Sequence, residues 1–78
     1  MVFEEKIGSG NFYSKTLPQF RHTFDLFRVN DLALEVRYRD GQNPMVVDIG
    51  DSRPETIRMA LERAAELTVE FQHSPSAA

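Results

Sequence analysis

Residues 32–49 constrain the fold more tightly than any other stretch. Leu32, Leu34, Val36 and Tyr38 alternate with Ala33, Glu35, Arg37 and Arg39, the period-two pattern of a half-buried strand. Asp40-Gly41 follows, a pair suited to a two-residue hairpin turn whose central positions need φ > 0. With that turn, Val36 is expected opposite Met45, Leu34 opposite Val47 and Leu32 opposite Ile49. All six apolar side chains then share one face. A slip of one residue would send half of them to solvent, so turn chemistry and hydrophobic pattern specify one register. Pro44 has no N–H to give a ladder, which places the second strand at a sheet edge or starts its pairing after Pro44.

A helix is expected over about 53–72. Ser52-Arg53-Pro54-Glu55 has the form of a capping box with proline in the first turn. Ile57, Ala60, Leu61, Ala64, Leu67, Thr68 and Phe71 then recur at helical spacing. Glu55, Glu62, Glu66 and Glu70 lie opposite, with Arg58 and Arg63 interspersed. Met59 and Val69 fall off the apolar stripe, Met59 among the glutamates.

Residues 18–29 read as a strand or a short helix. Leu17, Phe20, Phe24 and Phe27 would share a helix face, with Thr16 as cap. Phe20, His22, Phe24 and Leu26 alternate as a strand would. The strand reading gains because it covers the open edge of Leu32–Arg39. It needs a bulge or a longer loop, since a tight turn at Asn30-Asp31 would set Asp25 against Val36. Val2–Ile7 and Phe12–Leu17 read as short strands joined by a turn at Gly8-Ser9-Gly10. The expected fold is therefore α+β: an antiparallel sheet of three to four strands with one face packed against the C-terminal helix. A single domain is expected over 1–73, with a disordered tail at 74–78.

The chain has 78 residues and no cysteine, so neither a disulfide nor a thiolate metal site supports its thin core. Nine Lys and Arg against twelve Asp and Glu give a net charge of −3, which does not favour general attraction to nucleic acid or anionic lipid. No apolar run reaches the ~18 residues of a membrane span, and residues 1–6 lack a signal peptide's apolar stretch. A cytoplasmic protein is expected.

Gly8-Ser9-Gly10-Asn11-Phe12-Tyr13 resembles the glycine-rich phosphate loop of protein kinases in its first two glycines. Tyr13 stands where the third glycine should be, and the lysine and aspartate motifs of that family are missing. A glycine-rich turn accounts for the stretch. Asp48, Asp51 and Glu55 could hold Mg²⁺ through oxygen ligands, but acidic groups also gather at a helix N-terminus for its dipole. His22 and His73 have no cysteine partners for zinc. Ser9, Ser14 and Ser52 lack a nucleophile's context. No enzyme activity, cofactor or metal is expected.

Two function classes remain. The first is a small protein-binding regulator or inhibitor, antitoxin-like or a phage-encoded inhibitor of a host complex. It would bind another protein through the acidic helix face (Glu55, Met59, Glu62, Glu66, Glu70) and exposed Phe12 and Tyr13, and the leftover apolar residues also suit a homodimer. The second is a nucleic-acid-binding module using Arg21, Arg28, Arg37 and Arg39 on a basic sheet face. Glu35 and Asp48 share that face, which favours the first.

Overall fold

A computed structural model describes residues 4–73. The chain folds as β1 (Glu5–Ser14), β2 (Leu17–Asn30), β3 (Ala33–Tyr38), β4 (Met45–Asp48), α1 (Pro54–Ala65) and β5 (Thr68–His73). The strands form one antiparallel sheet in the order β4-β3-β2-β1-β5. The α+β architecture is as expected, with five strands rather than three to four. Helix α1 carries the chain from one sheet edge to the other and packs against β4 and β5. Its buried Ile57 and Leu61 meet Phe12, Phe24, Leu26, Leu34, Val36 and Val47 from the sheet. No helix among the described residues is long and apolar enough to cross a membrane. The expected tail, 74–78, lies outside the described residues.

The β3–β4 register is the expected one. Val36 faces Met45 and Leu34 faces Val47, and the Ile49 N–H donates to the Leu32 carbonyl at 2.8 Å. The connection is longer than a two-residue turn. Pairing stops at Met45 because Pro44 cannot extend it, and only Gly41 adopts a positive φ, 87°. Asp40 instead accepts the Gln42 N–H at 3.2 Å through its side chain, an Asx turn. Leu32 is the one apolar member of the pattern left exposed, at 54%, because it sits in the β2–β3 turn ahead of the strand.

Residues 18–29 are strand. The irregularity between Arg28 and Asn30 supplies the bulge that a strand here requires: Leu26 faces Val36 and Asp25 faces Arg37. The apolar side chains of β2 and β3 thereby meet on one face.

Gly8-Ser9-Gly10 is not a turn. It lies within the continuous strand β1, and the hairpin turn falls at Lys15-Thr16. The glycines serve the approach of β5. A Cβ on Gly10 would overlap the carbonyl oxygen of Glu70 and stand 3.1 Å from the Phe24 ring. One on Gly8 would overlap the Gln72 carbonyl and stand 2.6 Å from the Phe71 ring. Glycine at these positions lets β5 and its aromatic lie on β1.

The helix is shorter than its apolar stripe suggests. It ends at Ala65, Glu66 takes the left-handed conformation (φ 56°), and 68–73 becomes β5. Thr68-Val69-Glu70-Phe71-Gln72 also alternates as a strand, rich in β-branched and aromatic residues. Tertiary pairing with β1 decides between the two periods. Val69, off the helical stripe, is buried in the core. The capping box does not form either. Arg53 is the N-cap and has no side-chain cap bond, and Asp51 accepts the Arg53 N–H at 2.9 Å and its guanidinium at 3.0 Å. The Arg53 guanidinium, with further help from the Arg53 N–H and Thr56, lowers the Asp51 carboxyl to about 2.

Gly10→Ala should therefore lower the unfolding free energy by about 1–3 kcal/mol through overpacking. Gly50→Ala, with nothing within 4 Å of the added Cβ, should stay within about 0.5 kcal/mol of the parent. Urea titrations of the two variants check this contrast.

Candidate functional site

The sheet has one face under α1 and one open to solvent. On the open face the arginines are engaged. Arg21 donates to Glu70 at 3.0 Å and lies 4.5 Å over the Tyr13 ring. Arg37 bonds Glu4 at 2.6 Å and also Glu35, and covers the Phe27 ring at 4.0 Å. Arg39 reaches Asp25 at 2.8 Å, where Lys6 also stands at 3.3 Å. The Arg39 hydrogen bond is the main cause that holds the Asp25 carboxyl below its ordinary range. Arg28 is not in this group: it faces Leu34 in the register, on the other side of the sheet, and bonds the Asp31 carbonyl at 3.2 Å. The expected basic face is thus an alternation of matched charges. A shallow polar trough of about 190 Å³ crosses it beside Ser9, Asn11, Thr23 and Gln72, with Thr23 donating to Asn11 at 2.7 Å.

The expected acidic helix face is dispersed. Glu55 and Glu62 are helical, Glu66 is the C-cap, and Glu70 stands on the open sheet face. Glu62 is a clip within the fold. One oxygen accepts from Arg58 at 2.8 Å and the other accepts the Val69 N–H at 3.1 Å, tying the start of β5 to α1. Met59 is 48% exposed and borders a groove with Arg63 and Asp48. Phe12 is fully buried and stacks on Phe24 with ring centroids 4.6 Å apart. It is a core residue, because its position in β1 faces α1. Tyr13, its neighbour, turns to the open face and is half-buried beneath Arg21.

No group of three acidic, histidine or cysteine side chains suited to a metal occurs among the described residues. Asp51 is committed to Arg53. His22 faces Phe12 and His73 faces Gly8 in the pairing of β1, so the strand separates them. His22 Nδ1 lies 3.3 Å from Asp40 and 3.0 Å from the Gln42 amide.

The feature that the sequence reading missed is the overhang of the β1–β2 hairpin. β5 pairs with β1 only as far as Tyr13, and β3 pairs with β2 only from Phe24. Between Tyr13·Arg21 and Ser14·Leu17 the register shifts, so that Pro18, Gln19 and Phe20 form a bulge. The turn is closed by Ser14 and Thr16, whose hydroxyls are 2.8 Å apart. Leu17 is 51% and Phe20 64% exposed. Pro18 carried the signal, since proline within a strand marks a bulge or an edge. No protein family, curated protein or solved structure matches the chain.

Glu62→Ala should cost about 1–3 kcal/mol, because it leaves the half-buried Val69 N–H without its acceptor. Glu66→Ala, at an exposed cap, should cost less than half as much. Chemical denaturation of both variants measures the difference.

Proposed function

We propose that the chain is a small, non-enzymatic protein-binding regulator or inhibitor, and that the β1–β2 overhang is its principal contact element. The observation that carries this reading is the exposure of Leu17, beside the turn, and Phe20, in the bulge, on an overhang that neither β3 nor β5 covers. Large apolar side chains grouped at a projecting tip, rather than scattered singly, are the usual mark of a contact surface. Burying a phenylalanine is worth roughly 1.5–3 kcal/mol, and aromatic anchors often dominate binding energy. Lys15, beside them in the turn, makes no ion pair among the described residues. The partner surface that fits is an apolar pocket with an acidic rim. An antitoxin-like protein or a phage-encoded inhibitor of a host complex would use such a prong to occlude a site on its target.

The open sheet face supports the nucleic-acid alternative less well. Arg21, Arg37 and Arg39 each hold a carboxylate there, so a phosphate would have to compete with an intramolecular acid for each one.

The test is capture from nuclease-treated lysate with the wild-type chain and with Leu17→Ser and Phe20→Ser. Each substitution should weaken retention of the captured protein at least about tenfold, or 1.4 kcal/mol, without lowering the melting temperature. Retention that vanishes with the nucleic acid, or that both substitutions leave unchanged, would contradict the reading.

A further inference from the structure

The edge opposite β5 carries a second interaction surface. In an antiparallel ladder, hydrogen-bonded and non-hydrogen-bonded pairs alternate. The Ile49 N–H donates to Leu32, and this pair continues the register of Val47·Leu34 and Met45·Val36. Met45, Val47 and Ile49 therefore turn their backbone groups towards β3. Val46 and Asp48 turn theirs to the open edge, beyond which the sheet has no further strand. The Val46 side chain is 61% exposed on the face away from α1. On the α1 side, a groove of about 340 Å³ runs between the end of β4 and the helix, bordered by Asp48, Thr56, Met59, Ala60 and Arg63. Neither Asp48 nor Arg63 has an ion-pair partner among the described residues.

We propose that β4 pairs antiparallel with β4 of a second copy of this chain, about a two-fold axis at Val46, making one continuous sheet with both helices on the same side. The register follows from the backbone. A two-fold axis normal to the sheet keeps each side chain on its own face, and the outward groups of Val46 and Asp48 allow it to pass at Val46, Val47 or Asp48. Centring on Val47 would set each Val46 against the partner's Asp48 and leave the exposed valines apart. Centring on Asp48 would set two carboxylates against each other. Centring on Val46 sets Val46 against Val46, Met45 against Val47, and Pro44 against Asp48. No like charges then face one another, and the exposed valines cover each other. Val46 exchanges a pair of hydrogen bonds with its counterpart, and the Asp48 N–H is aimed at the Pro44 carbonyl. Pro44, lacking an N–H, limits the pairing to this short window. A contact this short belongs with weak, concentration-dependent associations.

The test is the mass of the full chain by light scattering over a wide concentration range. The expected result is a rise from one chain to two. Val46→Lys, a substitution on an exposed side chain that sets like charges against each other across the axis, should hold the mass at one chain. Val46→Thr should keep the dimer. Phe20→Ser should leave the mass unchanged, so that failure of the hairpin reading and failure of this one are told apart. Circular dichroism establishes that the variants are folded. Should Val46→Lys not fold, amide exchange of the wild type decides: protection at Val46 and Asp48 should grow with concentration. A mass of one chain throughout with concentration-independent exchange, or a folded Val46→Lys dimer, overturns the proposal.

Discussion

The contact between β5 and the glycines of β1 is the constraint on which the rest of this small fold depends. Gly8 and Gly10 lack the Cβ atoms that would collide with the β5 backbone and the Phe71 ring. With β5 seated, Val69 enters the core and the stacked pair of Phe12 and Phe24 is covered from a third strand. Helix α1 must then stop early enough to release the chain into that strand. Glu66 supplies the left-handed turn, and Glu62 holds the first free N–H of β5. A chain of this size has few layers to spare, so the glycines, the helix stop and the clip act as one unit.

The same arrangement separates the surfaces. The open sheet face is paved with matched acids and bases, two of its aromatics lie under arginine, and its polar groups are largely spoken for. The large apolar side chains that remain exposed lie at the margins: the β1–β2 overhang on one side, Leu32 in the β2–β3 turn with Val46 and Met59 around the β4 edge on the other. Single ion pairs at such exposure contribute little to stability. Their consequence is to leave the face without a net attraction for either sign of partner.

Legibility in the sequence followed the range of the interactions. The β3–β4 register could be read because it depends on neighbours a few residues apart. The strand reading of residues 18–29 also survived, and the bulge it demanded is there between Arg28 and Asn30. Two errors had one source. Gly8-Ser9-Gly10 read as a turn and residues 66–72 as helix because the partner that decides each lies about 60 residues away, and each decides the other. Val69, out of place on the helical stripe, was the visible sign. The candidate contact residues turn on the same choice: Glu66 and Glu70 share no helix face with Glu55 and Glu62, and Phe12 is a core ring rather than a surface one. The overhang is legible only through Pro18, whose place within a strand marks a break in pairing.

The central claim is that residues 68–73 form a strand lying on the glycine positions of β1. The Val69 N–H points away from β1, to Glu62, so Phe12·Val69 and Gly10·Phe71 are the close, non-hydrogen-bonded pairs of that ladder. Nuclear Overhauser spectroscopy of the chain in solution measures this directly. The account predicts strong Hα–Hα contacts between Gly10 and Phe71 and between Phe12 and Val69. Sequential amide–amide contacts and i to i+3 contacts running unbroken from Ala65 through Phe71, the pattern of a continued helix, would contradict it.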